Sequence, residues 1–212
     1  MKMRICCIRG GDGLENFNNS VVLAGTLGGR PEYSHAGKDE NYYVFPLEVE
    51  RLSGTIDTLN ILLGEELLRE TEIKTGDKVY VSGEVRSYNN KSGVGNKLVI
   101  SVLARDVFIT DCDDENSVMV CGTVCKQPNF RRTPMGRQIC DLMIAVNRRY
   151  GRSDYLPCIV WGSLAERASL LETGDEVEIT GRLQSRRYIK NLDDRVLEKT
   201  AYEISAVNMK AL

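Results

Sequence analysis

The sequence predicts an all-β protein made of two copies of one small module, and three observations carry that prediction. The run Asn19-Ser20-Val21-Val22-Leu23-Ala24-Gly25-Thr26-Leu27, followed by Pro31, returns as Asn116-Ser117-Val118-Met119-Val120-Cys121-Gly122-Thr123-Val124, followed by Pro128. Thr75-Gly76-Asp77 with the run to Val85 returns as Thr173-Gly174-Asp175 with the run to Leu183. Both pairs lie about 97 residues apart, the mark of a duplicated unit. Between these landmarks the apolar residues recur with a period of two, the period of a half-buried strand. A chain of 212 residues holds two domains of about 100 residues each.

Within the first copy, Val21 to Leu27 is apolar and β-branched, and Gly25 permits a bend or bulge. A Gly-Gly-Arg-Pro turn closes it. Tyr43 to Val49 alternates, with Phe45, Leu47 and Val49 on one face and Glu48 and Glu50 on the other. Ile56 to Leu63 is a third strand, and Glu65 to Glu72 reads as one or two helical turns around Leu67 and Leu68. Lys78 to Val85 alternates again, Asn89 to Asn96 is a polar hairpin tip, and Leu98 to Ile109 completes the module. In the second copy the strands are Val118 to Val124, Ile139 to Val146, Tyr155 to Trp161, Glu176 to Leu183 and Val196 to Val207. Its helix is marked by Ser163 and Glu166 in capping-box spacing, with Ala165, Ala168 and Leu170 following. Three strands, a short helix and two strands is the order of an OB-fold. The expected architecture is therefore two tandem OB-folds, five-stranded Greek-key barrels each with one short helix. The divisions are an N-terminal extension at 1–18, a divergent first fold at 19–111, an acidic linker at 112–115 and a second fold at 116–212.

Composition narrows the function. The whole chain has a net charge of -2, but residues 1–115 carry 13 Lys and Arg against 19 Asp and Glu, and residues 116–212 carry 15 against 11. The electrostatic case for a polyanionic partner rests on the second copy. Seven cysteines, an odd number, and the lack of a leader-like start point to a reduced, cytoplasmic setting. With His35 the sole imidazole, in a turn-like Ser-His-Ala-Gly stretch, Cys121 and Cys125 are not expected to hold a metal. No paired carboxylates and no phosphate-cradling glycine loop argue for an enzyme or a cofactor. The apolar runs are too short for a membrane span.

The second copy carries a series of rings and cations. Arg148, Arg149, Tyr150 and Arg152 follow its second strand, Tyr155 opens the third and Trp161 closes it. Arg182, Arg186, Arg187, Tyr188 and Lys190 run from the fourth strand into a hairpin. Interleaved rings and cations suit a single nucleic-acid strand, the rings stacking on bases and the cations holding phosphates. Trp161 beside Ile159 and Val160, and Tyr155 at a strand start, fit a core or sheet-surface position as well as a stacking one.

Residues 116–212 resemble the bacterial single-stranded DNA-binding protein family along nearly their whole length. The matching stretches are Asn116 to Gly122 with Pro128, Gly136, Ile144 to Arg148, Ile159 to Glu166, and Gly174 to Gly181 with Arg182 to Tyr188. The resemblance implies that Tyr150, Tyr155, Trp161 and Tyr188 hold the family's base-stacking positions. The first copy is similar more faintly, through Asn19 to Gly25 and Lys78 to Ser87. Leu63 stands there opposite Trp161 and Leu59 at or just past Tyr155, while Tyr88, after Arg86 and Ser87, is its surviving ring. Tyr33, Tyr42 and Tyr43 are further rings without an assigned face.

The function expected is non-catalytic binding and protection of single-stranded DNA in replication, repair or recombination, in a nucleoid-associated cytoplasmic protein. The alternative is a primosome-type or mobile-element accessory protein whose OB-folds mainly bind protein. The family generally assembles four OB-folds, which two-fold chains reach as a homodimer. Its acidic C-terminal tip, which recruits replication and repair proteins, has no counterpart before Leu212.

Overall fold

The computed structural model describes residues 18–90, 96–148, 151–192 and 195–212, with backbone only at 189–192 and 195–198. The first module comprises β1 (Asn19–Leu27), β2 (Glu32–Ala36), β3 (Asn41–Glu50), β4 (Ile56–Gly64), α1 (Glu65–Glu70), β5 (Lys78–Asn89) and β6 (Leu98–Ile109). The second repeats that order with β7 (Glu115–Val124), β8 (Asn129–Arg132), β9 (Gln138–Asn147), β10 (Ser153–Trp161), α2 (Ser163–Ala168), β11 (Glu176–Leu192) and β12 (Arg195–Ala211). Alternation decides which side chains go inside. Phe45, Leu47 and Val49 are buried while Glu48 and Glu50 are exposed. On β10, Leu156, Cys158 and Val160 enter the core and Tyr155 and Trp161 do not.

The expected pair of five-stranded barrels needs correction. Each module has six strands among the described residues, because β2 and β8 add short hairpin partners to β3 and β9. His35, read as a turn residue, lies on β2 with its ring stacked on Tyr42 at 5.2 Å. The five-stranded ring β1-β3-β4-β6-β5 is not a closed barrel. β1 meets β3 only at Thr26↔Glu48 and Leu27↔Leu47, and β4 meets β6 only at Ile61↔Val102 and Leu62↔Leu103. The second ring is equally open, at Thr123↔Ala145 with Val124↔Ile144 and at Cys158↔Ile204 with Ile159↔Ser205. The backbone pairing instead runs through a single twelve-stranded sheet. A strand has two hydrogen-bonding edges. β5 takes one edge of β1, from Val21 to Thr26, and β7 takes the other from Asn19 to Ala24, which leaves only the tip of β1 for β3.

The seam between modules has its own symmetry. Val21 pairs directly with Val118, its counterpart in the repeat, so the antiparallel β1–β7 ladder relates the modules by an approximate two-fold. One chain thus builds within itself the self-complementary contact that a two-fold dimer makes between chains.

Two buried carboxylates reinforce the seam at equivalent places. Asp57, 1% exposed, accepts both Arg51 Nε and Nη2 at 2.7 Å and reaches across to Ser185, accepting its backbone N–H at 2.7 Å and its hydroxyl at 3.0 Å. Asp154, 0% exposed, accepts Arg148 Nε at 2.7 Å and, from the other module, Arg86 Nη1 at 3.0 Å and the Ser87 N–H at 2.5 Å. Arg148 also donates to the Ser87 carbonyl at 2.9 Å. A buried charge is tolerable only when paired and hydrogen-bonded, and each clasp meets that demand with groups from both modules.

Two local readings change. Gly25 sits at no bulge; a Cβ there would meet the Glu48 carbonyl oxygen at 2.4 Å, and one at Gly122 the Ala145 carbonyl oxygen at 2.5 Å. Glycine lets β1 and β7 cross the ring closely, while the irregularities fall at Ser82/Gly83 and Thr180/Gly181. The capping box does not form: α2 follows Gly162 at φ 61, and Glu166 accepts instead from Gln138 Nε2 at 2.7 Å. No helix among the described residues is long and apolar enough to cross a membrane.

Candidate nucleic-acid interface

The outer face of β10 carries the rings. Side chains two apart on a strand share a face, so Tyr155, Pro157, Ile159 and Trp161 line up over about 20 Å, opposite the core residues between them. Tyr155 is 47% exposed and Trp161 38% exposed. The Trp161 indole N–H donates to Ser205 Oγ at 3.2 Å, which orients the ring without covering it. The apolar neighbours Ile159 and Val160 divide between the faces, so they do not draw Trp161 into the core.

β11 brings the second row. With Leu183 in the core, Arg182, Gln184, Arg186 and Tyr188 point outward, and Arg186, Arg187 and Tyr188 are exposed. Neither Arg186 nor Arg187 makes a hydrogen bond or ion pair among the described residues, so both guanidiniums are available to an anion. Between the rows lies a groove of about 820 Å³, lined by Trp161, Gln184, Arg186, Arg187 and Glu203, and walled by Arg51, Ile56 and Thr58 of the first module. The groove is thus made jointly by both halves.

The other sequence candidates fare differently. Arg148 and Arg86 are in the Asp154 clasp, and Arg86 also pairs with Glu84. Burial pushes the Arg86 guanidinium below its ordinary value, with Asp154 pulling the other way, whereas hydrogen bonding to Asp57 raises that of Arg51. These cations are committed to holding modules together. Arg182 lies beside Ser205 on the outer face, its Nε buried without a hydrogen-bond partner. Tyr88 is 57% exposed on β5 of the first module. Arg149 and Tyr150 lie outside the described residues. Lys190 is placed by its backbone on β11, opposite Leu197.

Sequence reading missed β8. Arg131 lines the groove, exposed and held by Asp141 at 2.7 and 3.1 Å, which raises its pKa; Phe130 is 40% exposed beside it. The signal was present as Phe130-Arg131-Arg132 just after Pro128, but four residues without apolar alternation do not read as a strand.

The clasps also align the modules residue by residue. Setting Asp57 on Asp154 puts Gly64, not Leu63, at the place of Trp161, and Thr58 at that of Tyr155, with Leu59 just past it. Leu59 and Leu63 are fully buried and belong to the core. A Cβ on Gly64 would meet the Glu40 carboxylate at 2.1 Å, so an acid occupies the space above the glycine where the second module has an indole. Tyr42, Glu66, Glu70 and Arg105 surround that place. Tyr33 and Tyr43 meet edge to face at 6.0 Å nearby.

Residues 115–212 match the model of the Single-strand binding protein family. The single-stranded DNA-binding protein of Deinococcus radiodurans is 32% identical over 203 residues, an alignment covering 78% of this chain and 66% of that protein. The chain belongs to the bacterial single-stranded DNA-binding protein family. Single-stranded DNA-binding protein 2 of Listeria monocytogenes is 34% identical over 88 residues, 38% of this chain and 55% of that protein. The chain spans about half the length of the first curated relatives it matches. The crystal structure of wild-type single-stranded DNA-binding protein from Thermus aquaticus superimposes with a TM-score of 0.73 at 23% identity, covering 92% of each chain, a likeness of fold.

Proposed function

We propose that this family member binds and protects single-stranded DNA without catalysing a reaction, in replication, repair or recombination. One observation carries the reading: Trp161, Arg186 and Arg187 line one groove, with exposed Tyr155 further along the Trp161 strand face and exposed Tyr188 further along the Arg186 one. Exposed rings cost hydration unless they meet a partner, and every unpaired base offers a flat face to stack on. The relatives, named single-stranded DNA-binding proteins, support the same ligand. Duplex DNA, with its bases already stacked on one another, offers these rings nothing comparable.

The chain acts as a homodimer with four OB-like modules. The support is an apolar spot on the outside of the first module, where Tyr80 stacks on Phe108 at 4.7 Å while Phe108 stays 46% exposed. Its place is with DNA in the cytoplasm, where its groove meets strands opened by other machinery.

The test is a titration of labelled oligo-dT and of duplex of equal length, at two salt concentrations. Trp161 is the sole tryptophan, so its fluorescence reports directly on the groove. Quenching by oligo-dT, with much weaker binding of duplex, is expected. An indole signal unmoved while another probe shows saturation would remove Trp161 from the site. Sedimentation velocity tests the dimer.

A further inference from the structure

The groove is lined by a carboxylate that phosphate binding does not explain. Glu203 lies on β12, two residues from Ser205, whose hydroxyl holds the Trp161 indole. Residues two apart share a strand face, so the carboxylate stands about 7 Å along the strand from the foot of the stacking ring. Glu203 and Trp161 line the same groove. Across the ladder its partner is Gln184, also in the groove. Arg186 on β11, Arg131 on β8 and Arg51 from the first module act on it as cations, and Asp141 on β9 as a second anion. Even so, the carboxylate makes no hydrogen bond or ion pair among the described residues. Half-buried, it keeps its oxygens open to solvent and free to accept from an incoming donor. It would also repel a phosphate. A donor arriving with the ligand accounts for both facts.

We propose that Glu203 reads base edges: a base stacked on Trp161 presents its exocyclic amino group to the carboxylate, so the site favours cytosine over thymine. The proposal rests on the single-strand reading above. The chemistry is that of donor and acceptor. Cytosine offers the N4 amino group, which a carboxylate accepts, whereas thymine offers O4, another acceptor, at the corresponding place. The carboxylate therefore attracts one pyrimidine and repels the other while Trp161 stacks on both.

The experiment compares oligo-dC and oligo-dT of equal length on the full chain and on Glu203→Gln. Stacking and backbone stiffness differ between the oligomers but cancel in the ratio of ratios. Glutamine accepts from cytosine N4 and donates to thymine O4, so it removes the discrimination along with the charge. The Kd ratio of dT to dC is expected to fall by roughly tenfold in the variant, the equivalent of one charge-assisted hydrogen bond, mainly through tighter dT binding. A second arm uses oligo-dC carrying N4,N4-dimethylcytosine, which has no N4 donor. The unmodified protein should lose affinity for it to a greater degree than the variant does, and that protein's own loss remains informative if the variant does not fold. Equal changes for dC and dT on Glu203→Gln would overturn the proposal, reducing Glu203 to a repulsive charge. Failure of the unmodified protein to bind any single strand would instead overturn the single-strand reading itself.

Discussion

Where the second module carries Trp161, the first carries Gly64 with the Glu40 carboxylate over it; where the second carries Arg186, the aligned Ser87 and Ser185 put Tyr88 in the first. The frames are otherwise closely alike, down to the buried aspartate, its arginine and the serine reached across the seam. The difference lies in what each outer face offers a polyanion. One has an oriented indole, exposed Tyr155 and Tyr188, and two arginines without an ion pair among the described residues. The other has carboxylates in the corresponding space. Duplication kept the residues that hold the modules to each other and let the ligand face of one diverge. Separated halves would expose Asp57 and Asp154 without their serines, so the comparison is best tested by point changes in the whole chain.

The largest effect should come from the clasps. Asp154→Ala leaves Arg86 and Arg148 without their shared anion, and a loss of about 3–5 kcal/mol in stability is expected. Asp57→Ala strands Arg51 alone and should cost less. Urea unfolding of both variants checks the order; equal losses would mean that Arg86 contributes nothing to the clasp.

Binding changes come next. Trp161→Ala and Tyr188→Ala should each weaken oligo-dT binding by about 1–3 kcal/mol with the fold intact by circular dichroism. Tyr88→Ala, on the first module, should do distinctly less. A loss at Tyr88 equal to that at Tyr188 would erase the functional difference between the faces.

A smaller effect isolates charge. Changing Arg186 and Arg187 together to Ala should flatten the slope of log affinity against log salt by roughly one to one and a half, since each phosphate contact on a single strand adds about 0.7. The loss should be similar for mixed sequences, because phosphate contacts carry no sequence information. Arg51→Ala should leave the slope nearly unchanged, since that guanidinium is bound to Asp57. An unaltered slope in the double variant would take both arginines out of the site.

The smallest effect is with pH. Burial, aided by the charge of Asp141, raises the Glu203 pKa above its ordinary 4.5, against the opposing pull of Arg186, Arg131 and Arg51. Protonation removes a negative charge from the groove, so oligo-dT affinity should rise as pH falls from neutral, and Glu203→Gln should flatten that rise. The stability sign agrees: the folded chain holds this proton more tightly than the unfolded one, so the contribution is full below the ordinary value and is lost as pH rises through the folded one. A flat profile in the unmodified protein would show that Glu203 stays ionised throughout.

Much of this was readable along the chain. Repeat, strand order and alternation are local patterns, and burial of Phe45, Leu47 and Val49 with exposure of Glu48 and Glu50 follows from a period of two. The stacking candidates Tyr155, Trp161 and Tyr188 were visible too, as rings among arginines. Whether Trp161 was core or surface was not, because Ile159 and Val160 beside it are apolar and only the facing strands separate inside from outside. Tertiary structure alone decided that Arg148 and Arg86 serve Asp154 rather than phosphate, since Arg86 reaches that aspartate from the other module and Arg148 bonds on to the Ser87 carbonyl there. It decided that the rings stay open, because an edge of β1 used by β7 is withdrawn from β3. It also decided that Glu203, one acid among many in the sequence, lines the same groove as Trp161: periodicity says which residues face outward, and only the sheet says which of them meet.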